Sequence, residues 1–494
     1  MTAAGHTYSI PSFEERQKEH AAFLQLLPTL VANPAKQVIL KKEKLKFYSI
    51  DQSSHVPATP LGVVMPATTA ECAAIMKACH EYKVKVTPRG SGTGVEGACI
   101  PYAGGLVVET TLMTNIKFDL GNNCVWAGAG VKKATLNKAC QQHGKLFGPD
   151  PASNPCVGGM VSTSGSGMST LRYGTTRENV ISLVVVNHKG DIIKTRQNVR
   201  KSSAGLELTQ LYIGSEGTLA IVCEVCFRLF TFEKYNAGAY ASFETTEDAV
   251  RAVVAMRLKG DSIRTVVKCE MMNKWNMEST NAYSKMSLPL TATVLLEFTT
   301  NDRRLRDVKE DYRTIAALFK QVGKAKIVKY LQSGKELDSY WSARRSCYFA
   351  ARLVRGKGVP EKVFTGDVCV PLTALAEIVA YTEAIFEQDN KKCLICAHIA
   401  DGNFHLNIPY TSPQEHKELQ ALEDKMIKKA IELGGTISGE HGIGVSRVKL
   451  VTLEHGPHHV DVQEKIKKAL DPDNRMNAGA FYPSQQLLYP TAHL

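Results

Sequence analysis

The stretch PRGSGTGVEG (residues 88–97) continues a predicted strand, VKVTP (84–88), and contains four glycines. Glycines directly after a strand allow successive backbone N–H groups to turn inward around an anion, as in phosphate-binding loops. The Lys-Ser/Thr pair of a Walker loop is absent, and the loop runs on through residues 98–101 instead of opening a helix. A nucleoside triphosphatase is therefore disfavoured and a Rossmann fingerprint is weak. Taken alone, the stretch fits a flexible turn as well as a phosphate loop.

Two further segments of small residues follow in the chain. One runs from Gly158 to Gly167 after the sequence FGPDP (147–151), and the other runs from Ile213 to Leu219 after a strand-like stretch. Three such segments in one domain allow the backbone to approach a large flat ligand from several sides. This pattern is more specific than a single glycine loop.

A second pattern, HIADGNFH (398–405), predicts a tight hairpin, because Asp401-Gly402 is a strong turn signal between two strand-like runs. With these two residues as the loop, His398 faces His405 across the ladder, and directly opposed Cβ atoms lie roughly 4.5–5.5 Å apart. Both imidazoles then reach one metal ion. A longer loop would spoil this pairing, and a pair of hydrogen-bonded histidines is the alternative interpretation.

Downstream, Glu440 and His441 lie in the glycine-flanked run GGTISGEHGIG (434–444). Neighbouring residues of an extended chain point to opposite sides. Glu440 is thus predicted to complete a metal site with His398 and His405, while His441 faces a substrate. Two imidazoles and a carboxylate suit several divalent ions, and we expect Zn, Mn or Fe.

Length and charge limit the classes of protein to which the chain can belong. The 494 residues predict two or three domains. The formal net charge of +12 is spread along the chain, with one dense run at residues 41–46. No nucleic-acid motif accompanies this run, so a solvated helix face is favoured over a nucleic-acid partner, and the charge suits an anionic substrate. No apolar stretch is long enough to predict a transmembrane segment.

The thirteen cysteines show no disulfide framework and no secretory signal is recognisable, so they are expected to stay reduced inside a cell. The CxxC pairs Cys223/Cys226 and Cys393/Cys396 lie in apolar runs, which favours buried thiols over a zinc or redox site. Acidic residues near the N-terminus argue against a transit peptide. The last residues, Ala492–Leu494, resemble a peroxisome or glycosome (microbody) address, with the mitochondrion and the cytosol as alternative locations.

Several motifs in a fixed order carry a family resemblance. The chain resembles the FAD-binding, PCMH-type domain of the vanillyl-alcohol-oxidase flavoprotein superfamily in PRGSGTGVEG (88–97), DPASNPCVGGMVSTSGSG (150–167), LRYGTTREN (171–179) and IGSEGTLAIV (213–222). It is similar to the C-terminal domain of FAD-linked D-2-hydroxy-acid dehydrogenases in WSAR (341–344), DVCVP (367–371), HIADGNFH, GEHGIG (439–444) and LDPDNRMNAG (470–479). That group includes cytochrome-type D-lactate dehydrogenase, the FAD subunit of glycolate oxidase and D-2-hydroxyglutarate dehydrogenase.

The resemblance implies an α+β fold of two main domains. These are a PCMH-type FAD-binding domain of two α+β lobes (55–232) and an α+β cap, the FAD-linked oxidase C-terminal domain (233–485). A helical lead-in (1–54) precedes them and a short tail (486–494) follows. Apolar periodicity agrees for the cap, because it predicts a strand over 293–299 and helices over 302–321 and 372–389.

By the same resemblance, FAD is bound without a covalent link by the glycine segments and their neighbours. The implied contacts are Arg89, Gly90, Ser91, Gly92, Thr93, Gly94, Gly97, Pro149, Gly158, Gly159, Ser164, Gly165, Gly167, Tyr173, Gly174, Glu216, Gly217, Thr218 and Ile221.

The resemblance also implies roles at the substrate. His398, His405 and Glu440 are the implied metal ligands, and His441 is the implied general base. The implied reaction is the FAD-dependent oxidation of a D-2-hydroxy acid. No haem or iron–sulfur pattern occurs, so an external acceptor is expected, such as a cytochrome, a quinone or an electron-transfer flavoprotein.

Arg344 is implied as the clamp for the substrate carboxylate, with Trp341 and Asn407 as further contacts. Arg447 stands where the family often has lysine, so its role is open. Residue 365, where relatives that act on 2-hydroxyglutarate carry a lysine, is Thr365. D-Lactate is therefore the favoured substrate, and D-2-hydroxyglutarate is the alternative.

Two other classes of protein fit the sequence less well. A metal hydrolase would use the histidine motif but would not need three flavin-type segments. A non-redox flavoprotein of the same superfamily, such as an ether-lipid synthase, would not need the metal motif.

Overall fold

The structure, a computed structural model, describes residues 10–199, 201–354 and 362–485. The described residues form two compact units. Among the described residues, the first unit comprises 10–166, 175–199, 201–231 and 440–485, and the second comprises 167–174, 232–354 and 362–439. The predicted microbody address at 492–494 and the predicted tail lie outside the described residues.

The first unit contains two main sheets. Its strands are β1 (Val38–Ile39), β2 (Gly62–Val64), β3 (Val86–Arg89), β4 (Leu106–Glu109), β5 (Ile116–Asp119), β6 (Cys124–Gly128), β7 (Lys145–Leu146), β8 (Val180–Val186), β9 (Ile192–Lys194), β10 (Ile221–Arg228) and β11 (Phe230–Thr231). One sheet has the order β1-β2-β4-β3, with β4 parallel to β2 and β3. The other is antiparallel with the order β5-β6-β10-β8-β9, and β7 pairs with β11.

The first unit also contains helices. They are Phe13–Glu19, Ala21–Leu26, Pro34–Gln37, Thr69–Glu81, Lys133–Gln141, Val157–Thr163, Thr176–Asn179, Leu208–Tyr212 and Val451–Leu470. The helix Thr69–Glu81 begins at a Thr68 cap and buries Cys72, Ile75, Met76 and Cys79, a spacing that gives it one apolar face. That face joins the core formed by the strands of the first unit.

The second unit is built on one antiparallel sheet. Its strands are β12 (Tyr235–Phe243), β13 (Val266–Met272), β14 (Ala292–Thr300), β15 (Ile327–Gln332), β16 (Lys362–Cys369), β17 (Ile395–His398) and β18 (Asn403–Tyr410), in the order β15-β12-β14-β13-β17-β18-β16. Its helices are Thr170–Tyr173, Thr246–Arg257, Lys274–Ser284, Arg306–Gln321, Lys335–Arg345, Cys347–Ala351, Leu375–Gln388 and Pro413–Glu432.

The predicted strand over 293–299 and helices over 302–321 and 372–389 correspond to β14, Arg306–Gln321 and Leu375–Gln388. The four thiols of the two CxxC pairs are buried, as expected. Within the described ranges, no helix is both long and apolar enough to cross a membrane.

Residues 440–485 belong to the first unit, whereas the family resemblance implied that they are part of the cap. The reason is a set of buried polar contacts. The Lys467 ammonium donates to the Thr218 carbonyl at 2.8 Å and to the Asp471 carboxylate at 2.6 Å. The Asn477 amide donates to the Ala98 carbonyl at 2.8 Å. This C-terminal segment therefore contacts the third glycine segment at Thr218 and, at Ala98, the residue that follows the first one.

Candidate active site

The first two glycine segments meet in the first unit. A Cβ added at Gly90 would lie 3.6 Å from Cys156 Cβ and 3.7 Å from the Gly159 nitrogen. Beside them, the Ser91 hydroxyl accepts hydrogen bonds from the Cys156 N–H and from the Lys132 ammonium, each at 2.7 Å. The two backbones are therefore held side by side.

The third glycine segment packs on both of the others. A Cβ added at Gly217, whose φ is +71°, would lie 2.8 Å from Pro88 Cγ. The Glu216 N–H donates to the Ser162 carbonyl at 2.8 Å. Three segments that are far apart in the sequence thus form one cradle, which we call the glycine cradle (residues 88–97, 156–166 and 213–219).

Gly158 and Gly159 show which part of the cradle is open. A Cβ at Gly158 would lie 2.6 Å from Ala129 Cβ, so packing requires this glycine. A Cβ at Gly159 would have no atom within 4 Å among the described neighbours. A backbone left bare on one side fits the close approach of a large flat cofactor such as FAD.

The predicted FAD contacts are divided between the units. Gly167, Tyr173 and Gly174 belong to the second unit. The others belong to the first unit and are Arg89, Gly90, Ser91, Gly92, Thr93, Gly94, Gly97, Pro149, Gly158, Gly159, Ser164, Gly165, Glu216, Gly217, Thr218 and Ile221.

Arg89, one of the predicted contacts, has a buried side chain directed at its own unit. Its guanidinium donates to the Ile50 carbonyl at 2.8 Å and lies 3.9 Å from the Glu109 carboxylate. These contacts support the fold of the first glycine segment.

The predicted hairpin forms in the second unit, but with a different register. β17 and β18 pair His398 with Asn403 and Cys396 with His405. The loop is therefore residues 399–402, and the predicted direct pairing of the two histidines is wrong. The cause is an additional turn before Gly402, in which the backbone N–H of residue 401 donates to the His398 carbonyl at 2.9 Å.

The two histidines nevertheless share one face of the sheet, because His405 lies two residues beyond the partner of His398. Their ring centroids are 5.3 Å apart with the rings nearly perpendicular, at 87°. Both side chains are buried. A diagonal arrangement thus brings together the imidazoles that the predicted register placed directly opposite.

Each imidazole has a buried carboxylate near its Nδ1 atom. Glu270 Oε1 lies 2.7 Å from His398 Nδ1, and Asp367 Oδ1 lies 3.4 Å from His405 Nδ1. At His398, the hydrogen bond between Nδ1 and the carboxylate favours the tautomer in which Nε2 carries a lone pair, as in most metal-binding histidines. The donor set therefore fits a divalent transition-metal ion.

Trp341 and Arg344 are buried on the helix Lys335–Arg345 of the second unit. Arg344 Nη2 donates to Glu270 Oε2. Arg344 Nε and Trp341 Nε1 are buried and have no hydrogen-bond partner among the described residues. A buried donor without a partner is costly, so these atoms fit a bound anion such as a carboxylate.

Thr365 and Asn407 are cross-strand partners on β16 and β18. Since Asn407 lies two residues beyond His405, both side chains are on the face that carries the histidines. Thr365, the position that favours D-lactate over D-2-hydroxyglutarate, is therefore adjacent to the predicted substrate contact Asn407, and neither side chain carries a charge.

In the first unit, Glu96 lies between His441 and Arg447. Its Oε1 atom is 3.7 Å from His441 Nδ1 and accepts a hydrogen bond from Arg447 Nε at 3.1 Å. Burial acts to raise the pKa of Glu96, but the charge of Arg447 and the contact with His441 hold this pKa below its ordinary value. The carboxylate of Glu96 is therefore ionised beside the His441 imidazole.

Glu216, a predicted FAD contact, supports the loop that follows His441. Its carboxylate accepts hydrogen bonds from the N–H groups of Ile443 and Gly444, at 2.6 and 2.8 Å. Burial raises the pKa of Glu216 to about 7 against the opposing effect of these two N–H groups. Glu440, the predicted third metal ligand, accepts a hydrogen bond from the Ser166 hydroxyl.

Glu96 and Glu270 were not among the predicted site residues. Glu96 lies in the motif 88–97, where the glycines carry the recognisable pattern. Glu270 is the one acidic residue in the strand VVKCEMM, and it is 1% exposed. Apart from Lys268, the other residues of this strand are apolar, and an acidic residue in such a strand is a signal that can be read from the sequence.

Comparison with known proteins identifies the family to which the chain belongs. A model of the FAD binding domain matches residues 60–196, and a model of the C-terminal domain of FAD linked oxidases matches residues 233–481. The chain belongs to the FAD-linked oxidase family. It is an FAD-binding oxidoreductase.

Two relatives of this FAD-linked oxidase match most of its length. The mitochondrial D-lactate dehydrogenase [cytochrome] of Arabidopsis thaliana is 32% identical over 85% of this chain and 73% of that protein. The glycolate oxidase subunit GlcD of Bacillus subtilis is 30% identical over 88% of this chain and 92% of that protein.

A solved structure shows the same fold. The structure of p-cresol methylhydroxylase with substrate bound aligns with this FAD-linked oxidase at a TM-score of 0.75 and 16% identity, over 96% of this chain and 98% of that one. The predicted α+β fold, a PCMH-type FAD-binding domain with an FAD-linked oxidase C-terminal domain, is confirmed.

Proposed function

We propose that this oxidoreductase oxidises a D-2-hydroxy acid, with D-lactate to pyruvate as the favoured reaction. One observation carries the proposal. Two buried histidines, each with a carboxylate at Nδ1, lie on the sheet face where Glu270 also binds the buried Arg344. A 2-hydroxy acid has a hydroxyl group that a metal ion can bind and a carboxylate that an arginine can bind. The histidines and Arg344 supply these two kinds of binding group.

The oxidation removes the hydroxyl proton and the C2 hydride. Bound FAD supplies the hydride acceptor, and a bound divalent cation supplies the Lewis acid that lowers the pKa of the hydroxyl. In the proposal His398 and His405 hold the cation, with Glu440 as the third ligand inferred from the sequence. FAD is held without a covalent link.

The remaining steps belong to side chains of this chain. Arg344 binds the substrate carboxylate and fixes the position of C2, with Trp341 beside it. His441 accepts the hydroxyl proton, and Glu96 stabilises the imidazolium that results. Arg447 neutralises Glu96 and so acts indirectly.

The favoured substrate is a monocarboxylate because Thr365 and Asn407 provide no cation for a second carboxylate. Asn407 is a polar contact to the substrate in this proposal. D-2-Hydroxyglutarate remains the alternative, since an amide can donate a hydrogen bond to a carboxylate.

The Arabidopsis thaliana relative is named as a mitochondrial, cytochrome-linked enzyme. We extend both features to this chain as proposals: a mitochondrial location and an external acceptor such as a cytochrome, with a quinone or an electron-transfer flavoprotein as alternatives. Deleting residues 492–494 and finding the cellular location unchanged would remove the microbody alternative.

Anaerobic mixing with a panel of hydroxy acids tests the reaction. We expect the bound flavin to be bleached by D-lactate and not by L-lactate, with a smaller kcat/KM for D-2-hydroxyglutarate. A large preference for D-2-hydroxyglutarate would replace D-lactate by the alternative substrate. A flavin that stays oxidised with every member of the panel would contradict the proposed function.

A further inference from the structure

We propose that Glu270 is a positioning residue that couples the two halves of substrate recognition, because its two oxygens hold Arg344 and His398 at the same time. The inference rests on the proposed function, since it requires a metal ion at the histidines and a carboxylate at the arginine. It adds a residue that the family motifs in the sequence did not indicate.

The geometry is that of a bridge. Glu270 Oε1 lies 2.7 Å from His398 Nδ1, and Oε2 accepts from Arg344 Nη2. Glu270 is on β13, whose neighbour β17 pairs Met271 with Ala397, so the glutamate and the histidine project from adjacent strands. A side chain anchored in the interior of a sheet has little freedom, which makes the bridge rigid.

The bridge matches the chemistry of a 2-hydroxy acid. Such a substrate carries its carboxylate and its hydroxyl on adjacent carbons, so the groups that bind them must keep a fixed separation. The carboxylate of Glu270 sets that separation from the protein side, because it fixes the guanidinium of Arg344 and the imidazole of His398 through one rigid group.

The bridge also fixes the state of each partner. The Nδ1–H of His398 is directed at Glu270, which leaves Nε2 as the atom that carries a lone pair. The Nη2 atom of Arg344 donates to Glu270, while its Nε atom has no hydrogen-bond partner among the described residues. The ion pair is almost fully buried, with the Arg344 and Glu270 side chains 6% and 1% exposed, so removing one charge leaves the other uncompensated.

Glu270→Gln tests the coupling without changing side-chain size. An amide accepts with its oxygen, but its NH₂ group opposes one of the two donors that the carboxylate satisfied. We expect metal affinity to fall by about 10–100-fold. We also expect KM for D-lactate, measured at saturating metal, to rise by about tenfold or more.

Metal affinity is measured by mass spectrometry of the metal retained at buffered free Mn²⁺ or Zn²⁺, with FAD content as a check on folding. This readout does not depend on turnover.

Three matched variants separate the metal-positioning role of Glu270 from its role in binding the substrate carboxylate. Asp367→Asn removes the carboxylate that lies near His405, so it should weaken metal binding with little effect on KM. Arg344→Gln should raise KM while the protein retains its metal. Asp311, on the helix Arg306–Gln321 of the same unit, is a buried carboxylate that accepts hydrogen bonds from Thr265. Asp311→Asn is the control and should change neither metal affinity nor KM.

The inference is overturned if Glu270→Gln keeps the FAD content of the Asp311→Asn control while both metal affinity and KM stay within about threefold of wild type. If the glutamine variant does not fold, Glu270→Asp serves instead. It keeps the charge but is too short to reach both partners, so at least one readout must change. Wild-type protein that neither retains metal nor is reduced by D-lactate would instead contradict the proposed function itself.

Discussion

The glycine cradle of the first unit and the histidine face of the second unit are built in opposite ways. The cradle consists of backbone, and its open position, Gly159, is defined by the absence of a side chain. The histidine face consists of polar side chains that contact one another, as in the pairs His398–Glu270 at 2.7 Å and His405–Asp367 at 3.4 Å. Adding atoms to the cradle should therefore weaken FAD binding or stability, whereas removing a charge or a hydrogen bond from the histidine face should weaken metal or substrate binding.

The loop 440–444 belongs to the first unit but relies on side chains in the same manner as the histidine face. His441→Ala should give the largest effect, because it removes the proposed base. We expect the rate of flavin reduction by D-lactate to fall by roughly 10²–10⁴-fold, measured by anaerobic stopped flow. FAD content should be unchanged, since the glycine cradle is not altered. A fall of less than threefold would remove His441 from the mechanism.

Gly158→Ala and Gly159→Ala form a matched pair in the cradle. The first should destabilise the protein by about 1–3 kcal/mol, because the added Cβ meets Ala129. The second should leave the FAD-free protein as stable or up to ~1 kcal/mol more stable, since the residue is helical and the space is open.

FAD titration separates the two variants. If the backbone at Gly159 is where the cofactor approaches, Gly159→Ala should weaken FAD binding by about tenfold or more despite its intact fold. Normal FAD affinity of a stable Gly159→Ala protein would show that the open position is not a cofactor contact.

Glu216 combines the two ways of building, because the side chain of this cradle residue accepts hydrogen bonds from the loop that follows His441. Its pKa is raised to about 7 in the folded protein. The unfolded chain therefore loses this proton at lower pH than the folded one does, and the contribution to stability declines as pH rises from about 4.5 to 7.

Between pH 5.5 and 8 this group should cost roughly 2 kcal/mol of folding free energy. Glu216→Gln removes the titration, so its urea midpoint should depend less on pH than that of the wild type, although its stability at pH 5.5 is lower. Equal pH dependence of the two proteins would contradict the raised pKa.

Thr365→Lys should give the smallest effect, because it adds a cation at the edge of the histidine face instead of removing a partner. We expect the ratio of kcat/KM for D-2-hydroxyglutarate over D-lactate to rise by about tenfold, or ~1.4 kcal/mol. Thr365→Met is the uncharged control. A ratio that does not change would place the second carboxylate of such a substrate elsewhere.

The cradle was predictable because its signal is local. Glycines within residues 88–97, 156–166 and 213–219 mark positions where the backbone comes close to other groups, and the structure brings these three segments together. The existence of the hairpin was predictable for the same reason, since Asp401-Gly402 is a turn signal.

The register of the hairpin was not predictable, because it depends on a turn at residues 398–401 that the Asp-Gly signal does not specify. The partners of the histidines were also hidden, since Glu270 lies on a strand more than a hundred residues before His398. Only the pairing of β13 with β17 makes them neighbours.

The most direct test of the account is the metal dependence of flavin reduction. Purified, FAD-loaded protein is freed of metal with a chelator, mixed anaerobically with D-lactate, and then supplied with Mn²⁺ or Zn²⁺. The account predicts that bleaching of the flavin slows by about 100-fold or more without metal and recovers when metal is restored. Bleaching at the original rate after complete metal removal would contradict it.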